Sequence, residues 1–470
     1  MYQKQLDNYF QQHQDELTSA IIRLCQIPSF REDPQPNKPY GSGPAKALSE
    51  ALQLAAELGF PTKNYENYVG AVDLNDSPTQ LNILAHLDVV PAGDGWTVTE
   101  PFTPKIIGSR IYGRGTSDDK GPAVCALMAM KAVKDLKIPV THNCRLILGC
   151  DEECGSSDIR YYYTKEPEAP MTFSPDADFP VINTEKATLH SPFSAKFPES
   201  KTLPRILSVD CGVKVNVVPG SACAAAEGIS FEETTEYADA VTRRTGVTFE
   251  IKEDGGKTCI SAKGVSGHAS LPHTANNALT ALLELLSSMP FAPCEGFDKL
   301  QAVSKMFPHE DWAGKSAGVD MEDFSGPLTI SFNMFHYTPQ ELNGVYDCRA
   351  PLCATNENLR DVLKAKFAQS GISMEDYPLN PGHHVPEDSA FIKTLLKCYE
   401  QYSGKKGSCV AIGGGTYVHH LKNGVAFGCA DAGTDNHMHG ADEFAEIPQL
   451  VMSAKIFAQA IIDLCGGTEK

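Results

Sequence analysis

The stretch Leu81–Trp96, LNILAHLDVVPAGDGW, opens as an apolar run and closes on a histidine and an aspartate two residues apart. Side chains at i and i+2 of a strand point to the same side, so His86 and Asp88 face one space where the run stops. Leu81–Ala85 reads as a buried strand, and the glycines and proline that follow read as the loop leaving it.

Working outward, the first 60 residues read as helical: PAKALSEALQLAAELGF has apolar residues at helical spacing and a stop at Gly59. Downstream, GPAVCALMAMKAVKDLK reads as a helix with Pro122 in its first turn and Lys134 and Lys137 near its end. NCRLILGC and APMTFSP read as further strands. Strands alternating with helices predict an α/β domain with a mostly parallel sheet flanked by helices. Three of its strands end in carboxylates or histidine, at the edge where ligands collect in such sheets.

Near Lys186 the texture changes. TFEIKEDGG, TCISAKG and LTISFNMFHY alternate polar and apolar residues, and two helices, ANNALTALLELLSSM and NENLRDVLKAKFAQSG, interrupt them. This predicts an inserted α+β lid of about 200 residues. YPLNPGHHVP reads as a hinge, after which the helix SAFIKTLLKCYEQY, the turn IGGGTY and the strand GVAFGCA resume the first texture. The expected division is residues 1–187 and 384–470 as one catalytic domain, with 188–383 inserted.

A chain of 470 residues is long enough for two cores. Its net charge of −19 and lack of basic clusters argue against a nucleic-acid partner. The polar, acidic start MYQKQLDNYFQQHQDEL reads as neither signal nor transit peptide, and uninterrupted apolar runs fall short of the roughly 18 residues of a membrane span. Fifteen scattered cysteines without a CxxC pair read as reduced thiols. The expectation is a cytoplasmic enzyme without a membrane partner.

Five stretches carry chemistry: AHLDVV with His86 and Asp88; GRGTSDDKG with Asp118 and Asp119; GCDEECGS with Asp151, Glu152 and Glu153; FSPDADFP with Asp176 and Asp178; and DNHMHGADE with His437 and His439. Taken singly, each has a duller account: a packed histidine, a solvated turn, a helix cap. Together they lie at strand ends or in the turns beside them. Repelling carboxylates are costly to gather unless cations neutralise them. Two histidines and several carboxylates without clustered cysteines suit two divalent ions, Zn foremost, with Mn or Co as alternatives. Such pairs, roughly 3.5–4 Å apart, form hydrolytic centres.

These stretches, in this order and spacing, resemble the co-catalytic metallopeptidase family of aminoacylase, carboxypeptidase G, succinyl-diaminopimelate desuccinylase and carnosinase, and most of all its bacterial, carnosinase-like dipeptidase V branch. The resemblance implies one ion on His86, Asp118 and Asp176, and a second on Asp118, Glu153 and His439, with Asp118 bridging. It implies Glu152 as the general base acting on a bridging water, and Asp88 as the group that hydrogen-bonds the other ring nitrogen of His86. Of the two histidines in HMHGADE, the family pattern favours His439, paired with Glu443. Asp119 is expected to be structural, the Asp118–Asp119 peptide bond being unusual in the family; a plain helix cap is the alternative.

The resemblance also implies a ferredoxin-like, doubled lid that supplies the substrate contacts. His268 in GVSGHAS stabilises the oxyanion, Arg349 in YDCRAPL holds the substrate carboxylate, and Asn216 in VKVNVVP adds a polar contact. The turn Gly413–Tyr417, with Gly414 at its centre, offers backbone N–H groups to the same carboxylate. The implied activity is a dipeptidase acting on short peptides with free termini, Xaa-His or β-alanyl dipeptides among them. An N-acyl-amino-acid deacylase or desuccinylase of the same fold is the alternative. A doubled lid allows a monomer; a homodimer remains open. Cys150 and Cys154 read as small buried residues beside a strand end.

Overall fold

The computed structural model describes residues 2–466, which form two units: residues 2–184, 384–411 and 415–466, and residues 185–383 with 412–414. The second unit takes in Ile412–Gly414, which the division expected from sequence groups with the flanking domain.

In the first unit the strand Thr79–His86 lies between Asn143–Gly149 and Met171–Ser174, parallel to both, and Gly424–Ala426 continues in parallel beyond Met171–Ser174. The flanks are antiparallel: Val69–Asp73 and Thr62–Tyr65 on one side, Val181–Glu185 on the other. Residues 81–86 of the central strand are all buried, as expected where helices cover both faces of a sheet. His86 lies opposite Gly149 in the parallel register. Parallel strands deliver their C-terminal ends to one edge, so His86, the Asp151–Glu153 turn and the turn after Ser174 emerge together.

The helix Lys120–Asp135 is buried along nearly its whole circumference, as its almost continuous apolar run requires. The final helix, Ile447–Cys465, packs into the same core and takes a thiol hydrogen bond from Cys125 on its Leu450 carbonyl. With 19 residues it is long and apolar enough, by length and composition, to cross a membrane. A search for uninterrupted runs misses it because Gln449, Lys455, Gln459 and Asp463 punctuate it; its apolar residues are spent on the core.

The second unit is built on one antiparallel sheet. Its strands run Thr248–Asp254, Lys257–Lys263, Ser221–Glu227, Arg205–Cys211, Thr329–Tyr337, Glu341–Ala350, Phe193–Lys196 and Ser373–Met374. Each half carries two helices: Phe231–Thr245 and Ala278–Ser288, then Glu295–Met306 and Asp361–Ala368. This is the doubled lid. Apolar periodicity predicts only two of these helices. The charged FEETTEYADAVTRRT escapes it, although a start signal is present: Ser230 accepts the Glu233 N–H at 3.1 Å, an N-cap. Alternation along Ser221–Glu227 turns Ala222, Ala224 and Ala226 into the helix-covered core.

Candidate metal centre

The first unit gathers five of the sequence-predicted residues into two groups. His86, Asp118 and Asp176 form one, and Asp118, Glu153 and His439 the other; within each group the potential ligand atoms lie within 4.8 Å of one another. Asp118 is common to both: its Oδ1 is 2.9 Å from His86 Nε2 and its Oδ2 is 2.8 Å from His439 Nε2. Asp176 Oδ2 stands 3.4 Å from His86 Nε2, and Glu153 Oε1 is 3.1 Å from His439 Nε2.

The donor set fits divalent ions. His86 Nε2 and Glu153 Oε1 are buried yet lack a hydrogen-bond partner of acceptable geometry, although charged atoms surround them. Buried polar atoms seldom stay unmatched unless something else meets them. Neutral imidazole and carboxylate are the donors that Zn, Mn and Co accept. Electrostatics points the same way. Burial works against a charge on His86, but Asp118, Asp176 and Asp88 outweigh it and raise its pKa well above the usual histidine value. The Glu152 carboxyl is pushed well above the ordinary range, mainly by burial, with Asp176, Glu153 and Asp118 adding repulsion against the opposing pull of His86. Bound cations would reverse the local balance.

The supporting contacts differ from the sequence reading at Asp88. His86 Nδ1 lies 3.0 Å from the backbone carbonyl of Asp88 and 3.5 Å from its carboxylate. The ring is therefore oriented by the main chain, while the Asp88 carboxylate accepts the N–H groups of Glu152 (3.2 Å) and Glu153 (3.1 Å). One aspartate thus ties the His86 strand end to the Glu152–Glu153 turn. Glu443, the acidic residue that follows His439 in the motif, pairs with Arg114 at 2.6 Å. Asp119 holds the N-cap position of the helix Lys120–Asp135, but its side chain does not cap it: its Oδ2 accepts the His86 N–H at 2.9 Å, and the Asp118–Asp119 peptide bond is cis. Asp151 pairs with Arg31 at 2.5 Å, and Asp178 belongs to neither group. Cys150 is buried as expected, whereas Cys154 is exposed.

Beneath the centre, Asp158 escapes the sequence reading, as does the contact it makes with the Tyr417 side chain. Asp158, its pKa raised to about 7 by burial and by Asp88, accepts the Cys150 and Asp151 N–H groups and the Tyr417 hydroxyl, the last at 2.6 Å. The Tyr417 ring stands edge-on to His86 with centroids 6.0 Å apart. A side chain on Gly149 would strike the Tyr417 hydroxyl at 2.1 Å, so only glycine fits that strand end. Tyr417, the last residue of the Gly413–Tyr417 turn, has its side chain buried.

The second unit gathers the residues assigned to substrate handling. The Asn216 carbonyl accepts the Ala269 N–H at 2.9 Å, and Val217 pairs with His268. A Cβ on Gly413 would lie 3.0 Å from Ser270 Cβ and 3.6 Å from Arg349 Cβ. Arg349 makes a two-pronged pair with Asp347 (2.6 and 2.8 Å) and donates to the Gly413 carbonyl at 2.7 Å. His268 Nδ1 is 2.6 Å from Ser270 Oγ.

A carboxylate shared by two His/carboxylate groups, at the ligand edge of a parallel sheet, marks the class of protein as one with a candidate metal centre. The chain belongs to peptidase family M20/M25/M40, whose sequence profile matches residues 83–463, and it is a peptide-bond hydrolase. It is 36% identical over 435 residues to the Bacillus subtilis protein YtjP, covering 91% of this chain and 92% of that one. It is 34% identical over 463 residues to the Beta-Ala-Xaa dipeptidase of Lactobacillus delbrueckii subsp. lactis, covering 96% of each. Among solved structures, human carnosine dipeptidase 1 shares the fold, with a TM-score of 0.60 and 14% identity over 99% of both chains.

Proposed function

We propose that this protein is a dipeptidase dependent on two divalent ions, cleaving short peptides with free termini, Xaa-His and β-alanyl dipeptides among them. The observation that carries the reading is Asp118, placed with one oxygen toward each group of ligands. The dipeptidase named among the relatives supports the substrate class. His86, Asp118 and Asp176 hold one ion; Asp118, Glu153 and His439 hold the other, Zn being the first choice and Mn or Co alternatives. When bound, the ions polarise the scissile carbonyl and acidify water.

The chain's own residues do the rest. Glu152 takes a proton from water on its carboxylate and returns it to the departing amine. Asp88, through the Glu152 and Glu153 N–H groups, fixes the turn from which that carboxylate works. His268 donates a hydrogen bond to the carbonyl oxygen as it gains charge. Arg349, held rigid by Asp347, binds the substrate carboxylate, with Asn216 and the Gly414 backbone as further polar contacts. The doubled lid lets the enzyme work in the cytoplasm without dimerising, a homodimer being the alternative; sedimentation showing activity confined to a dimer would favour that alternative.

The test supplies the purified chain with Zn or Mn and offers Ala-His, β-Ala-His and N-acetyl-His. Hydrolysis of the two dipeptides is expected. Hydrolysis of the acetylated compound alone would replace the reading with the deacylase of the same fold.

A further inference from the structure

His439 is the weakly supported member of the centre. Its side chain is 53% exposed, and its backbone takes a positive φ of 63°, as do His437 and Asp442 beside it. Packing therefore does not fix the ring; the main chain must. The main chain here is gripped by one side chain. Arg114 Nη2 donates to the carbonyls of His439 (3.2 Å) and Gly440 (3.1 Å) and to that of Ala92 (3.2 Å). Its Nη1 pairs with Glu443 at 2.6 Å, and the two side chains are 1% and 0% exposed. Glu443 Oε1 in turn accepts the N–H groups of Gly115 (3.0 Å), Ser117 (3.0 Å) and Asp118 (3.3 Å).

This pair joins two segments 329 positions apart in sequence. One carries Asp118, the other His439. A fully buried ion pair is weak evidence of stabilisation, since desolvation offsets its attraction. Pairs of this kind are better understood by what they hold in register. The hydrogen bonds of Arg114 and Glu443 run to the backbone of the two ligand-bearing turns and of the neighbouring Ala92 loop.

We propose that Arg114 and Glu443 are positioning residues that set His439 against Asp118, and that Arg114 selectively controls affinity for the ion on Asp118, Glu153 and His439. This rests on the two-ion reading of the centre. The forked guanidinium matters, because a lysine could keep the charge opposite Glu443 but could not also reach three carbonyls. Groups that orient metal ligands typically change metal affinity by about 10–100-fold.

The test is a calorimetric titration of the metal-stripped chain with Zn2+, on the unmodified protein, R114K, H439A and R114K/H439A. The unmodified protein should take up two ions. R114K should keep one uptake step and weaken the other by about 10–100-fold, the same step that H439A loses. The double variant should be no weaker than H439A alone, because the arginine acts through the histidine. Excess Zn2+ should restore R114K turnover with KM unchanged. Uptake by R114K equal to the unmodified protein, or equal weakening of both steps, would overturn the proposal. Fewer than two ions on the unmodified protein would instead sink the two-ion reading. If R114K does not fold, R114Q/E443Q, which removes both charges together, is titrated in its place. Selective weakening of the step lost in H439A then supports the proposal, and unchanged uptake or equal weakening of both steps overturns it.

Discussion

Asp347 and Asp118 are both buried aspartates facing nitrogen cations, and their surroundings are built on different arithmetic. Asp347, in the second unit, meets the Arg349 fork and lies 3.0 Å from His190 Nε2, so its one negative charge is matched by the arginine beside it. Asp118, in the first unit, shares two imidazoles with Asp176 and Glu153, and Asp88, Asp119 and Glu152 stand close behind. Carboxylates there outnumber the protein's cations. A closed arrangement supports itself and serves as a rigid mount; one with surplus negative charge is complete only with cations from outside.

That contrast can be broken or sharpened experimentally. The largest effect belongs to Glu152. E152Q should retain both ions yet lower turnover by about 10^2–10^4-fold, because proton transfer and not ligation is removed. Metal analysis beside steady-state rates decides it, and a normal rate would remove Glu152 from its role.

Next in size is the self-contained pair. D347A leaves Arg349 buried and unmatched, a change that costs about 3–5 kcal/mol. Urea unfolding should register that loss with or without chelator, whereas stripping metals should destabilise the unmodified protein through loss of bound ligand. A D347A loss that appears only with metal bound, or only after metal is stripped, would blur the distinction between the two sites.

The pH dependence of the same pair is smaller. Burial favours a neutral Asp347, but Arg349 and His190 win and hold its pKa down to about 2 from 3.8. A carboxylate depressed in the folded state stabilises above its unfolded pKa and loses that contribution as pH falls through the folded one. The advantage of the native chain over D347N should therefore shrink by about 2 kcal/mol between pH 4 and pH 2. A difference constant over that window would refute the assignment.

The smallest expected effect is at the floor of the metal centre. Y417F deletes the hydroxyl given to Asp158 and should cost about 1 kcal/mol in stability. Ion binding should change little, since the ring edge against His86 remains. Calorimetric uptake beside urea unfolding checks both halves of that expectation.

Much of this centre is legible before any fold is known. The i, i+2 placement of His86 and Asp88 at the end of an apolar strand, the paired aspartates before a helix and the acidic run after the next strand are local patterns. Local patterns follow from strand and helix geometry alone. The contacts that support the ligands are another matter. Spacing suggests the Asp88 carboxylate for His86, but the backbone carbonyl is nearer and the carboxylate meets the Glu152 and Glu153 amides. Which atom of a residue meets a ring nitrogen is a question of tenths of an ångström, and spacing carries no such information. The helices Phe231–Thr245 and Glu295–Met306 are hard to read because their apolar faces are interrupted by charge.

By itself, the sequence determined an α/β unit with an α+β insert and the residue types able to ligate ions, because period and strand-end chemistry are local properties; the doubling of the insert was implied by the family resemblance. The tertiary structure alone decided that Arg114 reaches Glu443, that Asp158 receives Tyr417, and that Gly413 lies beside Arg349. Those partners are separated by tens to hundreds of residues, and only the closing of the chain on itself brings a buried donor to a buried acceptor that would otherwise stay unmatched.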